Sequence, residues 1–113
     1  MSELVPLSVL RVYLGESDRA GGMAAYEYLV REAHARGLKG ASVFRGASGY
    51  GANSRIHTAK LLRLSEDLPM VVEILDAPER IEAFINEVVD RLDKGALAVF
   101  GVMGRVSAPG SKT

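Results

Sequence analysis

Apolar residues recur at two spacings along the chain, and the switches between them divide it into elements. Over residues 7–14 the period is two: Leu10, Val12 and Leu14 fall on one side and Val9, Arg11 and Tyr13 on the other, which predicts a strand. A polar, glycine-rich stretch, residues 15–22, interrupts it. From Met23 the spacing becomes helical, with Met23, Tyr26, Val30, Ala33 and Gly37 on one stripe, Leu29 beside it, and Glu27, Arg31 and Glu32 outward. Gly37 is placed to end that helix. Residues 41–45 read as a short second strand, followed by a long loop over 46–57. Residues 58–67 satisfy both periods; Leu62 and Leu64 alternate with Arg63 and Ser65, which favours an extended arm over a helical turn.

Residues 70–75 form a third strand, apolar on both sides apart from Glu73. Asp76-Ala77-Pro78-Glu79 then starts a helix, with Asp76 as the expected cap, proline in the first turn and Glu79 where a capping box places its acid. Ile81, Phe84, Ile85, Val88, Val89 and Leu92 give that helix an apolar stripe. Gly95 is expected to end it, and residues 96–106 form the last strand. Residues 108–113, with proline, glycine and serine, are expected to be a disordered tail.

The predicted order is β-α-β-β-α-β, the α+β ferredoxin-like pattern. One domain over residues 1–107 follows, a four-stranded antiparallel sheet with both helices on one face. The first two strands then run parallel, and the last strand begins where they end. The loops 15–22, 46–57 and 93–95 therefore meet at one edge of the sheet. The uncovered face, apolar in part, needs a partner, most simply other copies of the chain.

Length and composition narrow this picture. A chain of 113 residues suits one domain, and 48% hydrophobic residues suffice for one core. Lys and Arg balance Asp and Glu at 14 each, which argues against a nucleic-acid or membrane-surface binder. The absence of cysteine removes disulfides, thiolate nucleophiles and cysteine metal sites. Residues 1–6 lack the features of a signal peptide, and no apolar run reaches membrane-span length, so a cytoplasmic location is expected. His34 and His57 are too far apart to read as a metal pair. No nucleophile–base–acid spacing stands out, and the chain is expected not to be an enzyme. Gly49-Tyr50-Gly51-Ala52 superficially matches an RNA-recognition signature. Ser48, however, stands where that signature needs a base, and the third strand has no aromatic residue.

Candidate chemistry lies in the loops. Gly49 and Gly51 allow backbone N–H groups to approach an anion, Tyr50 can stack on a base, and Arg45, Arg55 and Lys60 bring positive charge. The loop from Gly15 to Gly22 is expected to open directly onto a helix N-terminus, where Arg19 can help hold an anion; the plain alternative is that Glu16, Ser17 and Asp18 cap that helix. The candidate ligand-binding set is Gly15, Glu16, Arg19, Gly49, Tyr50, Gly51, Asn53, Arg55, His57 and Lys94. No metal ligand and no catalytic residue is assigned.

Several runs resemble one known family: Leu10-Arg11-Val12-Tyr13-Leu14-Gly15-Glu16-Ser17-Asp18-Arg19, Gly40-Ala41-Ser42-Val43-Phe44-Arg45-Gly46, Gly49-Tyr50-Gly51, Ser54-Arg55-Ile56-His57-Thr58-Ala59 and Leu64-Ser65-Glu66-Asp67-Leu68-Pro69. They are similar to the domain-of-unknown-function family number 190, which belongs with the PII-like proteins. Residues 37–75 also resemble the corresponding stretch of PII. The resemblance implies a trimeric regulatory protein without enzymatic activity. Gly49, Tyr50 and Gly51 would line a cleft between subunits, and Asn53 would stand where PII helps organise metal and phosphate. The implied ligand is a small anion, with ATP, ADP or another adenine nucleotide with Mg as candidates and no cofactor required. The implied partner is a target protein, with a membrane transporter or channel as the candidate class. The chain departs from PII in three places. Only Asp93-Lys94-Gly95 replaces the glycine-rich phosphate loop, Arg105 is the sole remnant of a basic segment, and residues 60–66 carry no counterpart of the modified tyrosine.

Overall fold

A computed structural model of the chain describes residues 3–50, 67–93 and 95–106. Most of the long loop, the arm whose conformation the periodicity left open, Lys94 and the tail lie outside the described residues. β1 (Val5–Gly15) is followed by two short strands, β2 (Arg19–Ala20) and β3 (Met23–Ala24), and by α1 (Ala25–Ala35). β4 (Ala41–Arg45), β5 (Pro69–Asp76), α2 (Pro78–Glu87), a 3-10 turn (Val89–Arg91) and β6 (Ala96–Gly104) complete the order. The main sheet has the order β4-β5-β1-β6, antiparallel at every pairing, and β2 and β3 form a separate hairpin. The α+β ferredoxin-like architecture is therefore as the strand and helix periods predict.

The core lies between the sheet and the helices. Leu10, Val12 and Leu14 of β1 and Met70, Val72 and Ile74 of β5 are buried against Ala25, Leu29 and Ala33 of α1 and Ile81 and Phe84 of α2. These strand residues alternate because successive side chains leave opposite faces of a strand.

Four local expectations are corrected. The 15–22 loop does not run straight into a helix: the β2–β3 hairpin intervenes, and the first helical N–H, of Ala25, donates to the Asp18 carbonyl at 2.7 Å. The buried stripe of α1 is Ala25-Leu29-Ala33, spaced at four, while Tyr26 and Val30 are only half-buried. Small alanines let the helix sit close to the sheet, so they take the centre and the bulkier residues its flanks.

The third correction concerns Asp76. The N-cap of α2 is Ala77, with no side-chain cap. Asp76 ends β5 and is 3% exposed; Oδ1 accepts from the Ala77 N–H at 2.7 Å and Oδ2 from the Lys39 N–H at 2.9 Å. It thus closes the far end of the sheet, with Arg80 Nε 3.4 Å away. Arg80 also donates to the Arg36 and Gly37 carbonyls, at 3.2 and 2.7 Å, at the C-terminus of α1. At its other end α2 tightens into the 3-10 turn after Val88, whose φ of −124° is not helical, so Gly95 does not terminate the α-helix.

Candidate functional site

β1 and β4 are parallel because each pairs antiparallel with β5. Their C-terminal ends, Gly15 and Arg45, therefore lie beside the start of β5 at Pro69, and β6 begins opposite Tyr13. The expected convergence of loops at one edge is present in its described parts.

Backbone and carboxylates tie this edge together. The Glu16 N–H donates to the Leu68 carbonyl at 2.7 Å, and the Gly46 N–H to the Pro69 carbonyl at 2.7 Å. The Ser17 N–H donates to Asp67 Oδ1 at 3.1 Å. Asp18 folds back on its own turn: Oδ2 accepts the Gly15 N–H at 2.9 Å, while the Asp18 N–H donates to the Gly15 carbonyl at 3.2 Å. Short polar side chains stabilise turns through bonds of this kind. A Cβ at Gly15 would stand 2.6 Å from Asp67 Oδ1, so a larger residue there would push that carboxylate off the Ser17 N–H. The Gly-x-x-Asp spacing of residues 15–18 is thus a local structural unit.

Two of the described basic residues at the edge are engaged within the chain. Arg45 donates to Glu16 Oε2 at 2.6 Å, with the carboxylate one-fifth exposed and the guanidinium more than half. Arg19 donates to the Gly22 carbonyl at 2.9 Å and so braces the hairpin turn. Of the candidate residues, Gly15, Glu16 and Arg19 sit on one loop, and Gly49 and Tyr50 on the segment that leaves β4. The Tyr50 ring is 68% exposed and able to stack on a planar group. Gly51, Asn53, Arg55, His57 and Lys94 lie outside the described residues. Asp67 was absent from the candidate set. Its place two residues before Pro69, at the entry to β5, is the sequence signal for it. Among the described residues no group of three acids or histidines is arranged to hold a metal ion.

Comparison with known proteins fits this edge into a wider pattern. The profile of DUF190, described as an uncharacterised ACR, matches residues 7–103, which span every strand of the main sheet, both helices and the three loops. The chain belongs to the DUF190 family. A UPF0166 protein of Aquifex aeolicus is 41% identical over 85 residues, covering 75% of this chain and 81% of the relative. One of Methanocaldococcus jannaschii is 26% identical over 96 residues, covering 85% and 88%.

Solved structures similar to this DUF190 chain are PII proteins. CPII of Thiomonas intermedia K12, a nitrogen regulatory PII-like protein bound to ADP, AMP and bicarbonate, superposes with a TM-score of 0.65 at 18% identity. That match covers 91% of this chain and 92% of CPII. B. subtilis GlnK in complex with ATP superposes at 0.50 with 11% identity, covering 90% and 84%. At these identities the likeness is one of fold. It agrees with the PII resemblance of residues 37–75.

Proposed function

We propose that this DUF190 protein is a PII-like regulator, acting by binding and not by catalysis. In this reading it binds a small anionic ligand at clefts between the copies of a homotrimer and presents residues 46–67 to a target protein. The observation that carries the reading is the meeting of the 15–22 loop, the segment after β4 and the turn before β6 at one edge. An exposed aromatic ring there, Tyr50, suits a nucleobase. An adenine nucleotide is the first candidate, because CPII binds ADP and AMP and GlnK binds ATP on the same fold. Among the described residues no helix is long and apolar enough to cross a membrane, so a transporter or channel would be met as a separate target.

Calorimetry with ATP, ADP, AMP and cyclic nucleotides, each with and without magnesium, tests the proposal. Arg55→Ala is expected to weaken binding about tenfold or more, the loss of one charge-assisted hydrogen bond. Arg19→Ala is expected to weaken it less, because its guanidinium is already engaged by the Gly22 carbonyl. A second reading, a docking subunit without a small ligand, is favoured by the pairing of Glu16 with Arg45, which leaves the Arg45 charge already neutralised within the chain. Absence of heat with every nucleotide, together with retained target binding, would select it.

A further inference from the structure

The sheet face turned away from the helices carries one charged pair in a mostly apolar setting, with Ser42 opposite Glu73. The registers place Tyr13, Phe44, Val71, Leu75 and Phe100 on that side. Phe44, Tyr13 and Phe100 are 53%, 42% and 40% exposed. Arg11 and Glu73, opposite one another on β1 and β5, are the only charged residues among the described strand positions of this side. Arg11 Nε donates to Glu73 Oε2 at 2.7 Å, and its guanidinium lies 5.1 Å from the centre of the Phe100 ring. The hydrogen bond to Glu73, then that to Tyr13, holds the Arg11 pKa above its ordinary value, so the positive charge is fixed.

An exposed pair like this contributes little to the stability of one chain. Its effect changes when another molecule covers the face. The pair is then taken out of water, and any arrangement that leaves either charge against apolar surface is penalised. Two opposite charges side by side also make the face complementary to itself. In a closed ring of copies each guanidinium can face a carboxylate of the next copy, whereas a slipped register opposes like charges.

We infer that the Arg11–Glu73 pair selects the register in which copies of this chain pack through their open sheet faces, with a second copy of the chain as the occupant of that face. The inference rests on the homo-oligomeric part of the proposed function and adds to it the residues that determine specificity. The apolar residues around the pair supply the adhesion, and the pair excludes the wrong arrangements.

Native mass spectrometry and sedimentation of the full chain over a concentration series test this, with circular dichroism confirming that each variant is folded. The wild type is expected to give one stoichiometry. Arg11→Glu, which sets two acids side by side, is expected to raise the dissociation midpoint at least about tenfold. Arg11→Glu combined with Glu73→Arg is expected to restore assembly. Arg11→Met with Glu73→Leu is expected to associate as tightly as wild type, but into several stoichiometries. A monomeric wild type would overturn both this inference and the homo-oligomer. A wild-type oligomer that Arg11→Glu leaves unchanged, or an apolar double variant that keeps a single stoichiometry, would overturn this inference alone.

Discussion

The two ends of the β-sheet are closed in opposite ways. At the end where β5 runs into α2, one buried carboxylate does most of the joining: Asp76 accepts from the Ala77 and Lys39 N–H groups, and Arg80 spans from it to the last carbonyls of α1. At the end where β1 and β4 stop, three carboxylates share the work. Asp18 holds its own turn, Asp67 holds the Ser17 N–H, and Glu16 holds Arg45. At the first end the carboxylate itself is buried, 3% exposed, although its N–H partners lie nearer the surface. The second is partly exposed, so each of its bonds can be exchanged for one to water or to a ligand. A polar contact fixes structure when it is sealed from solvent and stays adaptable when it is not. The more open carboxylates are consistent with the proposal that ligand binding occurs at the loop edge.

Substitutions break this contrast in a graded order. Asp76→Ala is expected to cost most, about 2 kcal/mol in urea denaturation, because one buried carboxylate serves two part-buried backbone N–H groups and both lose their acceptor together. Gly95→Ala comes next at the other end, at up to about 2 kcal/mol. Gly95 has a φ of +112°, and a Cβ there would stand 2.8 Å from the Tyr13 carbonyl oxygen, so both strain and a backbone clash oppose it. Asp18→Ala is expected to cost only about 1 kcal/mol, since water can replace the carboxylate on the half-buried Gly15 N–H. Hydrogen exchange separates the ends further: the amides of Lys39 and Ala77, bonded to the buried Asp76 carboxylate, should exchange more slowly than that of Ser17, bonded to the partly exposed Asp67. Equal effects of Asp76→Ala and Asp18→Ala would contradict the contrast.

Much of the fold was legible because the sheet and helix periods are clean. Leu10-Val12-Leu14 and Ile81-Phe84-Val88 each announce one buried face. The β2–β3 hairpin was not legible: each strand has two residues, too short for any period, and Arg19-Ala20-Gly21-Gly22 looks like loop. Asp76 was misread as a cap because Asp-x-Pro is a common helix entrance. Only the tertiary approach of Lys39 shows why the carboxylate is buried. At the site, the glycines and Tyr50 could be marked from the sequence. The pairing of Glu16 with Arg45 spans 29 positions, and no local pattern reports it. Arg45 therefore read as a free positive charge when it is held by an acid.

That pairing gives the smallest effect on stability and the sharpest test of the site. Glu16→Gln removes the negative charge but keeps the shape and an acceptor oxygen. The ion pair is more than half exposed on the arginine side, so its loss is expected to cost at most about 1 kcal/mol. The Glu16 backbone bond to the Leu68 carbonyl remains, so the loop should hold its course. What changes is the field at the edge: the Arg45 guanidinium is no longer neutralised by a carboxylate 2.6 Å away. If an anion binds here, Glu16→Gln should tighten it several-fold, and the gain should shrink as salt is raised from low to physiological strength. Arg45→Met should do the reverse, exposing the acid and weakening the anion. Calorimetry on the two variants at two ionic strengths reads both signs. Weaker anion binding by Glu16→Gln would mean that the carboxylate itself contacts the ligand or a bridging cation, and the edge would then have to be rebuilt around a metal–anion pair.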